Sequence, residues 1–553
     1  MNKTAFLALI AMSAVLFFSF VAVQNASAAF WAVNTMTGFS STNTVSSTGM
    51  DAFFESNTNT NSVTNSQTAT TDTGNNDANN NTGDGSADSG VINVLGGFGN
   101  AFNLNFVDQD NSWWNEDVGA ENDTTGAQSD NTATATFDSS ATVVNSNDAT
   151  LNNGIDVDAN TGDNNANNNT GEGDVESGNA TSNTTESNIA NENTFLSSGS
   201  AMSMLFTTLA RNMTTGFSST NDATTDVDNA ITSVNTNGAN FTNNSTTVLD
   251  TGNNDANNNT GSGEVDSGNA KGDVEIINDA NSNVADVNVG SGDNELMAGN
   301  DTTGANSDND ASASLDNTVT LVSTNDAGFT NTGDVDANTG DNDANNNTGD
   351  GSVDTGVAEG TVTIDNGSIF NSNETTLSFG GGMFDIMAMN TITGSGSDND
   401  ATTDVVNTAT VVNDNDANVE NTADVTLDSG NNDANNNTGD GEVDSGNVTG
   451  EVMVTSDLNV NVTNVEWVAM GDITSGNGTT GANSTNDASA DVTNTLTLVN
   501  TNDSTVNTTS TIDANSGGNN SNNNTGSGSS ESGNSSVMFG VINAGNGNFT
   551  LIQ

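Results

Sequence analysis

Polar and apolar residues alternate along much of this chain. In ASASLDNTVTLVSTND, residues 311–326, Ala311, Ala313 and Leu315 fall on one side. After an interruption at Asp316-Asn317, Val319 and Leu321 share a side, with Thr318 and Thr320 opposite. Period-two alternation with β-branched residues predicts strands, and Asn-Asp or Gly clusters predict turns. The turn marks recur. Asn309-Asp310, Asn325-Asp326 and Asn342-Asp343 lie 16 and 17 residues apart, as do Asn399-Asp400, Asn415-Asp416 and Asn432-Asp433. Two strands of about five residues plus two turns fill that interval. The expectation is an all-β protein: a β-solenoid of short stacked coils of 16–17 residues, with Val319 above Val335 in a thin core. More apolar stretches such as VINVLGGFGNAFNLNFV, FLSSGSAMSMLFTTLA and LSFGGGMFDIMAMN read as wider, looped coils whose apolar residues are core or, alternatively, a lateral contact face.

A longer period overlies the short one. A (T/S)-G element before an Asn run places glycines at Gly74, Gly162, Gly252, Gly340, Gly430 and Gly517, at steps of 88, 90, 88, 90 and 87. A second marker, at Gly38, Gly126, Gly216, Gly304, Gly394 and Gly481, keeps the same steps. Two markers in one register imply six tandem modules: 29–122, 123–212, 213–300, 301–390, 391–478 and 479–553, the last carrying a C-terminal assembly strand. The modules alternate. D(T/S)GNNDANNNTG marks the first, third and fifth, and DANTGDN or DANSGGN the others. The ancestral unit is therefore a pair.

Composition narrows the function. There are 72 Asp+Glu against 3 Lys+Arg, and no Cys, His, Tyr or Pro. Such a charge repels nucleic acid and anionic lipid, and attracts cations. Without Cys or His, a bound metal must be a hard cation on oxygen ligands, Ca²⁺ first and Mg²⁺ second. With only 31% apolar residues the composition also fits a disordered chain, and the fixed register is the argument against that reading. The start of the chain has Lys3, an apolar run from Ala5 to Val23 and Ala26-Ser27-Ala28. It reads as a secretory signal peptide over 1–28, with a membrane anchor as the alternative. The expected product is secreted and extracellular, free of the membrane once the signal is removed.

The acidic turns supply the candidate chemistry. Like charges stacked about 4.8 Å apart repel unless a cation lies between them. TGDNDANNNTGDGSVDTG, residues 339–356, combines carboxylates, amides and glycines. Just before it, Asp334, Asp336, Asn338 and Asp341 follow a D-x-D-x-N-x-G-D spacing that Asp156, Asp158, Asn160 and Asp163 repeat. An EF-hand is disfavoured, because Asn346 stands where its glycine belongs. The candidate metal ligands are Asp77, Asp84 and Asp88 in the first module, and Asp156, Asp158 and Asp163 in the second. The third contributes Asp255 and Asp266. The fourth contributes Asp310, Asp326, Asp334, Asp336, Asp341, Asp343, Asp350 and Asp354, and the fifth Asp400, Asp416, Asp433, Asp440 and Asp444. The other reading of these residues is a set of turn formers on a solvated surface. Multiple Ca²⁺ ions are the expected cofactor, and no catalytic or organic-cofactor residues are assigned. N-x-T triplets starting at Asn80, Asn168, Asn258, Asn346, Asn436 and Asn523 could carry glycans.

Thr348 to Gly356, TGDGSVDTG, resembles the Gly- and Asp-rich repeats of RTX proteins, without their leading Gly-Gly or nine-residue tandem period. The whole chain is more similar in style to secreted calcium-binding β-solenoids that form microbial extracellular matrix fibres with a ladder of calcium ions. That resemblance implies head-to-tail homopolymerisation in a biofilm filament. The apolar ends VMFGVINAGNGNFTLIQ and AFWAVNTMTGF fit strands that pair between subunits. Three other functions compete. One is an adhesin or S-layer-like coat protein of a salt-adapted microbe. A second is a glycan-active β-solenoid enzyme, disfavoured because carboxylates recur with the modules and cationic partners are scarce. The third is an ice-binding solenoid with Thr-x-Thr rows at Thr318/Thr320, Thr408/Thr410 and Thr495/Thr497, which come about once per module, not once per coil.

Overall fold

A computed structural model describes residues 29–110, 117–199, 207–289, 294–379, 384–467 and 471–553. The signal segment 1–28 lies outside the described residues.

The described chain is all strand and turn, wound as a parallel β-solenoid of four six-stranded sheets. One rung, taken from the fourth module, has four strands: Asn294–Asp301, Asp308–Asn338, Gly351–Asp354 and Ala358–Phe379. The 31-residue strand Asp308–Asn338 runs out, the short strand Gly351–Asp354 lies in the corner, and Ala358–Phe379 runs back. The strand Phe384–Thr391 then lies above Asn294–Asp301 and starts the next rung. At about 3.3 Å per residue the long strand spans about 100 Å, while the two facing sheets are about 10 Å apart. The molecule is a flat ribbon stacked along its narrow axis.

The predicted coil of 16–17 residues is corrected. One full module makes one rung. Asn221 pairs with Asn131 and Asn309, and Asn309 with Asn399, at separations of 90, 88 and 90 residues. Val319 stacks on Ile231 and beneath Ala409, not on Val335. Alternation continues through the supposed break, with Asp316 facing out and Asn317 buried. Asn309-Asp310 lie at the start of the long strand and Asn325-Asp326 in its middle, both paired as strand, while Asn342-Asp343 sits at the corner that follows it. The misreading came from treating Asn-Asp as a turn signal. A 16-residue step is even, so both asparagines fall on the same face of one uninterrupted strand.

That face is the interior, and buried asparagines stack there in columns. Asn59, Asn147, Asn237, Asn325, Asn415 and Asn502 form one column, each Nδ2 donating to the Oδ1 of the rung above at 2.9–3.2 Å. Across the core stands a second column, Asn105, Asn193, Asn283, Asn373, Asn461 and Asn548. The two interlock: Asn325 donates to Asn373 at 3.0 Å, and Asn373 to Asn415 at 2.8 Å. Asn331 and Asn366 meet in the same way at 2.9 Å. These amide walls divide the apolar core into stripes. Leu315, Val319, Leu377 and Ile386 lie on one side, Ala327 and Phe329 in the middle, and Val335, Val362 and Ile364 beyond. The inward-facing residues of the apolar runs, Phe195, Leu377 and Ile386 among them, are core, while Val91, Leu95 and Phe106 of the first rung are exposed, and residues 200–206 and 380–383 of these runs lie outside the described residues.

A bulge lets the return strand keep its fit. Ala190 and Asn191 both face inward, and Asn191 adopts φ 63°. Its Nδ2 donates to the carbonyl of Gly238 on the facing strand at 2.6 Å. Asparagine tolerates this left-handed conformation better than any other residue with a side chain. The Gly340 column has a different cause. A methyl on Gly340 would overlap the carbonyl oxygen of Gly430 one rung above.

Replacing Asn325 by Leu should destabilise the protein by several kcal/mol, since four amide partners lose their bonds and each unsatisfied buried group costs about 1–3 kcal/mol. Thr318→Ala, on the outer face, should change stability by less than about 0.5 kcal/mol. Thermal unfolding of both variants checks the contrast.

Candidate functional site

The outer face of the ribbon carries the carboxylates. Parallel, in-register pairing brings like side chains of successive rungs to the rung spacing, so charges form columns as the amides do. The candidate metal residues fall in eight such columns. Asp88, Glu176, Asp266, Asp354, Asp444 and Glu531 form one column of acids on the corner sheet, with no neutral residue between them. Beside it run Asp84, Glu172, Ser262, Asp350, Asp440 and Ser527. Asp77, Asp255, Asp343 and Asp433 share a third column with Asn165 and Asn520. In the long strand, Asp156, Asp334 and Asp424 share one column, and Asp158 and Asp336 the next.

Two predicted pairs are not at the corner. Asp310 and Asp400 stack with Asp222 and Asp487 at the opposite end of the ribbon. Asp326 and Asp416 stack with Asp503 in mid-strand. Asp310 and Asp326 are 16 residues apart along one extended strand, about 50 Å. They belong to separate columns and cannot serve one site.

At the corner the structure explains why the repeat is a pair of modules. Where the long strand enters the corner, each of the first five rungs has a pair of positions holding one carboxylate and one amide, in alternating order: Asp72 with Asn75, Asn160 with Asp163, Asp250 with Asn253, Asn338 with Asp341, Asp428 with Asn431. The amide bonds its own rung's carboxylate, as in Asn160 to Asp163 at 2.9 Å and Asn253 to Asp250 at 2.9 Å. Along either column an acid follows an amide, so like charges are two rungs apart. Asn338 and Asn515 also donate to Asp250 and Asp428 of neighbouring rungs. Asp250 and Asp428 were not among the candidate ligands. The signal for them was present: they stand at the position that Asn160 and Asn338 hold in the even modules.

The electrostatics record how incompletely this arrangement relieves repulsion. Burial pushes Asp250 up to about 6, with Asp163 and Asp336 adding to the rise and the Gly252 N–H and Asn253 amide opposing it. Burial also takes Asp343 to about 6, helped by Asp255 and Asp433 above and below. Asp266 and Asp354 are raised for the same reasons, burial first and then their column neighbours. Glu186 is a separate case. It points into the core between Phe98 and Ile276, fully buried, with neither carboxyl oxygen hydrogen-bonded, and burial takes it to about 8. Two cations oppose the negative field, each tying neighbouring rungs: Arg211 to Asp301 at 2.8 Å and Lys271 to Glu359 at 2.9 Å. Among the described residues, no three acidic side chains converge on one metal-sized point.

The chain matches no family model, no curated protein and no solved structure.

A carboxyl whose folded pKa exceeds its unfolded value holds its proton longer in the folded state. Between the two values, stability falls as pH rises, by up to about 1.4 kcal/mol per pH unit for each such group. Glu186, Asp250 and Asp343 all shift this way, so the metal-free protein in low salt should melt higher at pH 5 than at pH 8. Glu186→Gln should raise the melting temperature at pH 8 and flatten the profile between pH 5 and 8. Calorimetry across that range is the measurement.

Proposed function

We propose that the protein is the structural subunit of an extracellular, calcium-stabilised fibre that grows by stacking subunits head-to-tail along the rung axis. The observation that carries this reading is the state of the terminal rungs. Among the described residues nothing covers the outward face of the first or the sixth. On the sixth, the core-facing Val492, Val537, Phe539, Val541 and Ile552 are about half exposed, although Val405, Val452, Val454 and Val465 directly beneath four of them are fully buried. The long strands Thr42–Asp72 and Thr485–Asn515 each leave one edge of 31 residues unpaired. Uncovered sheet edges of this length are templates for another chain. Inter-rung backbone bonding and a dry interior are what cross-β assemblies use for stability.

Calcium enters as the counterion that the columns need. Carboxylates on successive rungs, with Asn side-chain and backbone oxygens, match the hard-oxygen chemistry of Ca²⁺, whose 2.3–2.6 Å bonds suit a cation lying between rungs. The column Asp88, Glu176, Asp266, Asp354, Asp444 and Glu531 is the first candidate. In this reading the ions lie in a row and bridge rungs, and each rung supplies part of a coordination shell. The exposed sequon asparagines, Asn346 among them, give glycans a column on the same corner.

Electron microscopy in low salt tests the proposal. Filaments about 100 Å wide are expected with millimolar calcium, and EDTA should shorten or dissolve them. Asp266→Asn/Asp354→Asn should lower the calcium needed. Particles that stay single under all conditions would overturn the fibre; filaments indifferent to EDTA in low salt would overturn the calcium part and favour a salt-adapted coat protein.

A second reading gains from the corrected rung. Thr142, Thr232, Thr320, Thr410 and Thr497 form one outward column, and Thr318, Thr408 and Thr495 stand beside it. Since a rung is a module, these threonines recur on successive rungs, which removes the earlier objection to a flat Thr array that orders ice. Thermal hysteresis assays address it.

A further inference from the structure

We infer that the sixth rung of one copy seats on the first rung of another in unbroken register, so that the contact between subunits repeats the contact between rungs and has a single polarity. This rests on the fibre reading and specifies the surface that makes it.

The first support is hydrogen-bond polarity. In the core columns the amide nitrogen points toward the higher-numbered rung. Asn122, Asn212, Asn300 and Asn390 show why this direction is set. Each Nδ2 also donates to a backbone carbonyl, of Thr132, Asp222, Asp310 and Asp400, at 2.6–2.9 Å. A carbonyl only accepts, so the nitrogen must face it. The remaining N–H goes up to the next Oδ1, at 2.9–3.0 Å. The stack therefore ends with donors on rung six and acceptors on rung one. Asparagine stands at both ends of the same columns: Asn477 and Asn34, Asn486 and Asn43, Asn502 and Asn59, Asn548 and Asn105. Seating rung six on rung one continues each column. Two copies joined by like faces would oppose donor to donor or acceptor to acceptor.

The second support is independent and steric. In the column Gly74, Gly162, Gly252, Gly340 and Gly430, a methyl would strike the glycine carbonyl one rung above. Gly517 tops this column, and the nearest atom to a methyl there is Asn515 Oδ1, at 3.9 Å. Three other columns collide with the rung below, and at their lowest members the collision is absent. Gly90 has only Thr73 near, at 3.8 Å, and Gly38 and Gly83 have nothing within 4 Å. None of these four lies in the left-handed region. Among the described residues of the single chain, nothing requires glycine at Gly38, Gly83, Gly90 or Gly517. A second copy in register requires it at all four, three on the lower face and one on the upper.

The asymmetry gives a mixing experiment. Gly517→Ala blocks the upper face and leaves the lower one intact; Gly90→Ala does the reverse. Each should melt within about 2 °C of the parent, while Gly340→Ala in the middle of the stack should fail to fold normally. Mass photometry of each end variant alone, under conditions where the parent forms filaments, should show monomers, and a one-to-one mixture should show dimers and nothing larger. Independently, Thr501→Cys and Thr58→Cys, which occupy one outward column, should give an oxidised mixed dimer in high yield and tenfold less of either homodimer. If both end variants polymerise like the parent, or the cysteines do not cross-link while filaments form, this junction is wrong and the fibre reading survives. If the parent itself never associates, the fibre reading fails, and this inference with it.

Discussion

Stacking each residue about 4.8 Å above its counterpart is the constraint from which this structure follows. In a globular core a side chain answers to a varied neighbourhood. Here it answers mainly to near-copies of itself, above and below. Valine, alanine and threonine stack on themselves without difficulty. Aromatic rings stack face to face, as Phe241 on Phe329 at 4.7 Å and Phe379 on Trp467 at 4.5 Å. Asparagine goes further, because an amide is donor on one side and acceptor on the other and a column of them satisfies itself. Aspartate is acceptor only and carries charge. The distribution follows: asparagine fills the interior columns, and nearly all carboxylates face out.

The amide columns also solve a problem of width. A sheet of 31-residue strands faced by one of 18- to 22-residue strands, packed through small apolar side chains, has little to stop the two sliding past each other. A slip of two residues would still bury valine on valine. It would also separate Asn325 from Asn373 and Asn331 from Asn366, and each buried amide left without a partner costs about 1–3 kcal/mol on every rung. The penalty multiplies along the stack. Polar residues in the core thus specify one alignment of the two sheets, while the apolar stripes between them supply the burial.

Much of this was legible in the chain. Alternation revealed strands, and two glycine markers revealed the module and its pairing. The rung length was not legible from turn chemistry. Asn-Asp has high turn propensity in isolation, but Asn309 and Asn325 are held extended by bonds to Asn221, Asn237, Asn399 and Asn415, which lie about 90 residues away in sequence. Tertiary pairing overrode the local preference. The evidence for it was the marker spacing itself, since steps of 88 and 90 residues are what in-register rungs require. The corner acids were readable for the same reason: an Asp at 250 opposite an Asn at 338 makes sense only if the two positions touch.

The charge pattern carries the last step. Isolated on a surface, 72 acids against 3 bases need no special placement, because solvent screens them. Stacked at the rung spacing they do, and the corner handles it in two ways. Where Asp and Asn alternate, as at Asp163, Asn253 and Asp341, neutral amides separate the charges within each column, and the repulsion that remains acts between the two columns, as from Asp163 on Asp250. Where acids run without interruption from Asp88 to Glu531, no basic side chain among the described residues pairs with them, although serine or asparagine stands at the corresponding positions of adjoining columns, as Ser262 and Asn165 show. A protein that can dilute one column by alternation keeps another acidic throughout only at a cost to its metal-free stability. In the proposed reading a divalent cation bridging the rungs turns that cost to advantage, and the uninterrupted column is the first place to test for calcium.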